Sequence, residues 1–103
     1  MAMHQAGTPV SFMANVHCAA ASQNFLALEH HSVDLPWWED LVTTVGGFKM
    51  IDKGFATVPL TAPGLGIELN EEVLKKHVHP KDKSYFAPTD QWNTLMSHDR
   101  TYS

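Results

Sequence analysis

The chain has 103 residues, 44% hydrophobic and 17% charged, an ordinary globular balance that excludes general disorder. Its formal charge is −4 and its seven Lys and Arg residues are scattered, so no basic stripe with interleaved aromatics marks a nucleic-acid partner. The single cysteine, Cys18, excludes an internal disulfide framework and fits a reducing compartment.

The first predicted element is a minimal apolar strand, Met1-Ala2-Met3, closed by His4 and followed by a Gly7-Thr8-Pro9 turn. A helix is predicted from Pro9 to Ser22. Proline fits its first turn, where no N–H is needed, and Thr8 can cap it. Ser11, Asn15, Cys18 and Ser22 make a narrow polar stripe, while Val10, Phe12, Met13, Val16 and Ala19 to Ala21 cover the rest. A helix apolar around most of its girth is expected to be buried on more than one side.

Phe25 to Leu28 is an unbroken apolar run, the pattern of a strand covered on both faces. Glu29 closes it, and His30-His31-Ser32 reads as a polar loop. Asp34 to Thr43 contains Pro36, Trp37, Trp38, Leu41 and Val42 and predicts a short helix or turn with an aromatic anchor. After Gly46-Gly47, Phe48 to Val58 reads as a β-hairpin turning at Asp52-Lys53-Gly54. Thr61 to Gly66 is a tight connection. Asn70 caps a predicted helix from Glu71 to His77, acidic at its start and basic at its end, as the macrodipole favours. From Pro80 the chain is polar with spaced aromatics, Tyr85, Phe86, Trp92 and Tyr102, and is expected to lie on another surface.

The candidate site starts from a repetition: apolar strand, ionisable residue, helix, apolar strand, ionisable residue. That is how a parallel α/β barrel presents catalytic groups at its C-terminal face. Two such units do not make a barrel of eight, so the chain reads as the tail of an enzyme. The fold class expected is α/β, the C-terminal segment of a (β/α)8 barrel. His4 and Glu29 are the candidate catalytic residues. Each also has a plainer reading, His4 as a loop histidine beside a turn and Glu29 as a rim carboxylate held by a salt bridge. A carboxylate ending an apolar strand needs compensation in either case. His30 and Trp38 are carried as candidate substrate contacts beside Glu29, although Trp37 and Trp38 read first as packing anchors.

Seven histidines invite a metal, but there is no HExxH and no zinc-spaced Cys/His cluster. His30 and His31, if extended, point to opposite sides. No metal ligand is assigned within this chain. Cys18 has no matched partners for a nucleophile, and Pro63-Gly64-Leu65-Gly66 lacks the lysine of a phosphate loop. With no basic residue before its first polar break, the N-terminus does not read as a signal peptide, and no apolar run approaches the length of a bilayer span. A cytoplasmic protein with no membrane partner is expected.

Ala2-Met3-His4, Ala19-Ala20-Ala21, Leu28-Glu29 and the run from Pro63 to Asn70 together resemble the C-terminal part of the enolase superfamily. The closest branch is similar to the mandelate racemase/muconate lactonizing family. Leu28-Glu29-His30-His31-Ser32-Val33-Asp34 with Trp37-Trp38-Glu39-Asp40-Leu41-Val42 resembles acid-sugar dehydratases of the gluconate or galactonate type. The resemblance runs from residue 1 to about residue 79 and more weakly to the terminus.

It implies that residues 1–45 are the seventh and eighth strand units of the barrel. Residues 46–79 would return to a capping domain, and 80–103 would be a tail. It implies that His4 is a general acid/base, protonating the departing β-hydroxyl or taking the α-proton. Glu29 would hydrogen-bond the substrate carboxylate as it becomes an enediolate. Mg²⁺ is the implied cofactor, with its acidic ligands, a lysine base and an aspartate partner for His4 on earlier strands absent here. The implied partners are a small sugar-acid substrate and further copies of the enzyme. Racemisation or cycloisomerisation within the same superfamily stays open, as does a non-catalytic chain that only associates or docks.

Overall fold

Two short strands, β1 (Ala2–Met3) and β2 (Ala27–Leu28), lie side by side and parallel, joined by helix α1 (Pro9–Ala20), in the computed structural model, which describes residues 1–81. Parallel neighbours need a crossover of a dozen residues or more, and α1 supplies it. Proline opens the helix, and Thr8 Oγ1 accepts from the Ser11 N–H at 3.4 Å. The helix ends at Ala20 with Ala21 as its cap, and Ser22 turns its hydroxyl onto the Cys18 carbonyl at 2.8 Å. That hydroxyl satisfies one of the last helical carbonyls, which have no intrahelical partner.

Helix α1 buries one face, through Pro9, Phe12, Met13 and Val16. The other side stays open, with Val10 exposed, because the described residues provide no second layer against it. The burial on more than one side that the pattern calls for needs a further partner, and the described residues cover one face alone. Strand β2 is corrected in length: only Ala27 and Leu28 are strand, and Leu26 is 78% exposed. Its one described neighbour is β1, and no helix covers its far face among the described residues.

The segment after Glu29 makes two 3₁₀ turns, Ser32–Asp34 and Glu39–Leu41, and then strand β3 (Val42–Thr44). Strand β3 pairs antiparallel with β6 (Ile67–Leu69), Thr43 opposite Glu68. Neither strand is evident in the sequence, because three residues are too few to display an alternation. The hairpin is as expected, β4 (Ile51–Asp52) against β5 (Phe55–Ala56). Lys53 and Gly54 both have positive φ, 48° and 82°, as a two-residue hairpin loop of matching twist requires.

The connection before β6 needs its glycine: a Cβ on Gly66 would lie 2.5 Å from Pro59 Cγ. Helix α2 (Glu71–Lys76) follows, with the Asn70 side chain accepting from the Val73 N–H at 3.5 Å. One core joins these pieces. Phe12, Met13, Val16, Trp38, Val42 and Met50 pack together, with Leu28, Phe48, Ile51 and Ile67 against them. Burying each large apolar side chain contributes about 1.5–3 kcal/mol. The core thus draws on both sides of residue 45. The tail expected from residue 80, with its four aromatics, lies almost wholly outside the described residues.

Candidate functional site

The register of β1 and β2 builds the site. Ala2 pairs with Ala27 and Met3 with Leu28, so the next residues, His4 and Glu29, leave the two strands side by side at their C-terminal ends. Paired residues of a parallel ladder share a face. The ladder continues one step further, with the Glu29 N–H donating to the Met3 carbonyl at 2.9 Å.

His4 Nδ1 reaches Glu29 Oε2 directly. The other oxygen, Oε1, lies 2.8 Å from His31 Nε2, and the Gln5 N–H donates to Oε2 at 3.3 Å. The His4 and His31 rings meet edge to face, 5.9 Å apart. Desolvation pushes the Glu29 carboxyl upward. The hydrogen bonds from His31, the Gln5 N–H and His4, with the attraction of His4, outweigh it and hold Glu29 below its ordinary value. All three side chains remain open to solvent, so a ligand has access to the cluster.

Gln5, buried at 4% exposure, fastens this end of β1 to α1. Its amide donates to Ser11 Oγ at 3.1 Å and to the Thr8 carbonyl at 3.4 Å, and its Oε1 accepts from Asn15 Nδ2 at 2.8 Å. Asn15 Nδ2 also donates to the His4 carbonyl at 3.4 Å. A buried amide with both ends satisfied rigidifies what it joins. The polar stripe of α1 therefore faces the site through Ser11 and Asn15.

His30 and His31 diverge where the backbone turns, His31 having φ −85° and ψ −21° at the start of the first 3₁₀ turn. His31 turns to Glu29. His30 packs between Phe12 and Trp38, with ring centroids 5.4 and 4.7 Å away, and its Nδ1 is buried with no hydrogen-bond partner among the described residues. Trp38 is 3% exposed, meets Phe12 edge to face at 5.6 Å and donates its indole N–H to the Gly7 carbonyl at 3.0 Å. The structure thus places Trp38 in the core as an anchor under the His4–Gly7 turn, with no open face for a ligand. His4 and Glu29 are brought together; His30 and Trp38 lie behind them.

Two members of the site, His31 and Gln5, are absent from the candidates that the sequence suggests. The one signal for His31 is its closeness to Glu29 in sequence, since the turn that brings its ring back to the carboxylate, with φ −85° and ψ −21°, is seen only in the structure. Gln5 had none, because only the packed helix shows that it is buried.

The described residues contain no group of three His, Cys, Asp or Glu able to hold a metal. The site's carboxylate is already engaged by two imidazoles and a backbone N–H, and a lone carboxylate does not fit the oxygen-rich shell Mg²⁺ requires. No helix of the described residues is long and apolar enough to cross a membrane.

Adjacent parallel strands joined by a crossover helix, with ionisable residues at the strand ends, define an α/β segment. Residues 1–73 match the family described as enolase C-terminal domain-like, and the chain belongs to that family. It is 41% identical over 78 residues to a D-xylonate dehydratase of Haloferax volcanii, covering 76% of this chain and 18% of that protein. It superposes with a TM-score of 0.68 on a mandelate racemase/muconate lactonizing enzyme-like protein from Rubrobacter xylanophilus. The two are 44% identical, over 77% of this chain and 20% of that one. The chain thus spans about a fifth of the length of these relatives.

Proposed function

We propose that this chain forms the seventh- and eighth-strand units of the (β/α)8 barrel of an acid-sugar dehydratase and works within a longer enzyme. The observation that supports this reading is the side-chain contact of His4 with Glu29 at the ends of adjacent parallel strands. In this reading His4 is the general acid/base, taking the α-proton or protonating the departing β-hydroxyl. Glu29 binds the substrate carboxylate as it becomes an enediolate, stabilising charge where it develops. His30 and Trp38 act from behind, holding the loop that carries Glu29 and His31.

Residues 46–79 return to a capping domain and 80–103 form a tail. Superfamily members generally use Mg²⁺. The described residues do not form its site, and its ligands belong to earlier strands of the longer enzyme. The enzyme is cytoplasmic and homo-oligomeric in this reading. Its substrate is a small 2,3-dihydroxy acid.

The test is to supply the complete enzyme with such acids and Mg²⁺. Loss of water gives an enol that tautomerises to a 2-keto-3-deoxy acid, and that product supports the reading. Inversion at the α-carbon without loss of water makes it a racemase. A second reading, a segment that only docks, is favoured by the exposure of Leu26 and Leu60, at 78% and 88%. Absence of turnover with every acid would favour it.

A further inference from the structure

The Glu29 carboxylate has a second imidazole on it that the acid/base role of His4 does not use. His31 Nε2 lies 2.8 Å from Oε1, the oxygen that His4 does not contact. The chemistry assigned to Glu29 raises a problem that this contact answers. An ionised carboxylate only accepts hydrogen bonds, and so does the carboxylate of a substrate. Two such anions repel at contact, unless one of them carries a proton.

We propose that His31 supplies that proton, converting Glu29 from an anion into an O–H donor when an acidic substrate arrives. This inference rests on the dehydratase reading of the site. The step is balanced. The His31 imidazolium gives up its Nε2 proton and becomes the neutral Nδ1–H tautomer, while Glu29 gains that proton at Oε1. No proton enters from solvent, and the transfer reverses when product leaves.

In the empty site the contacts oppose this transfer, and the substrate's charge is what reverses it. Facing the carboxylate are His4 from the end of β1, the Gln5 N–H from the turn into α1 and His31 from its own loop. All of them stabilise the anion while the site is empty. An incoming negative charge reverses that balance and draws the proton onto Glu29. Histidine is the side chain whose proton moves readily near neutral pH. His31 is 58% exposed, so its proton exchanges with water between turnovers. It acts through Glu29, as a positioning residue with a transferable proton.

The test is kinetic, on the complete enzyme with Mg²⁺ and the acid it dehydrates. His31→Gln keeps a neutral amide donor at the position of Nε2 but has no proton to give. The expected result is a fall in kcat of about 10² to 10⁴-fold, the usual worth of a positioned proton donor. KM should change little, and the alkaline limb of the pH–rate profile should move or vanish. Because the side chain is exposed, the unfolding midpoint should stay unchanged, and circular dichroism checks this.

Wild-type kcat and an unchanged pH profile in His31→Gln would overturn the proposal. So would full activity in His31→Gln beside a defect in His31→Ala, since a hydrogen bond alone would then suffice. His4→Asn, run in parallel, separates the two levels. If His4→Asn is inactive and His31→Gln is normal, only the proton supply fails. If His4→Asn is normal, the dehydratase reading itself fails.

Discussion

Met3 and Leu28 pair across the parallel β1–β2 ladder, and this one register position decides where the next two residues emerge. A slip by one residue would send His4 and Glu29 to opposite faces of the sheet. The register is held by the main-chain bonds from Leu26 to Met1 and from Glu29 to Met3, at 2.8 and 2.9 Å. Gln5 then fixes the chain just past β1 by tying it to Ser11 and Asn15. The ionisable pair is thus placed by backbone pairing and a buried amide, and its own attraction is the last contribution.

Glu29→Gln should affect the transition state more than binding. Kinetics of the complete enzyme should show kcat falling with comparatively little change in KM. A rise in KM at constant kcat would place Glu29 among the residues that bind only the ground state.

The pH dependence of stability has a defined sign. The folded Glu29 carboxyl lies below its ordinary value of 4.5, so its contribution is complete above that value. It is lost as pH falls from there through the lowered folded value. The unfolding-midpoint difference between wild type and Glu29→Gln should therefore shrink across that acid range. A difference that persists at still lower pH would contradict the ion cluster. Because the carboxylate is 42% exposed, the effect should also weaken with added salt.

Trp38→Phe removes the indole donor from the Gly7 carbonyl while keeping most of the ring. Denaturant unfolding should show a loss of about 0.5–1.5 kcal/mol, the net worth of one hydrogen bond whose acceptor lies on exposed Gly7. Substrate KM should stay within a few-fold of wild type. A large KM effect at unchanged stability would make Trp38 a direct substrate contact.

Much of this arrangement is legible in the sequence, and the exceptions share a cause. The crossover helix, the hairpin at Lys53-Gly54 and the Asn70 cap carry local signals, a proline, a glycine and an amide at required positions. His4 and Glu29 are visible because each closes an apolar run. Strands β3 and β6 are not, since their pairing joins residues about 25 apart and each is three residues long. Gln5 is likewise invisible, because its burial is a property of the α1 packing. Leu26 reads as a core residue by composition and is exposed because nothing described lies beyond β2.

That exposure predicts how the chain behaves alone. Leu26, Val33, Phe55 and Leu60 are 78%, 74%, 79% and 88% exposed, and β2 has β1 as its one described neighbour. Apolar surface beside an open strand edge promotes association. Sedimentation of the 103-residue chain should show species larger than a monomer, reduced in Leu26→Lys. A compact monomer with cooperative unfolding would contradict this, as would metal-dependent dehydration by the chain alone.

The central claim is that His4 moves a proton during turnover, and His4→Asn in the complete enzyme tests it most directly. Asparagine keeps an amide near the position of Nδ1, and with it a hydrogen bond to Glu29, but removes the titrating ring. Dehydration of the sugar acid should fall by about 10² to 10⁴-fold, with fold and metal affinity retained and one limb of the pH–rate profile lost. Turnover within a few-fold of wild type, with the profile intact, would contradict the account.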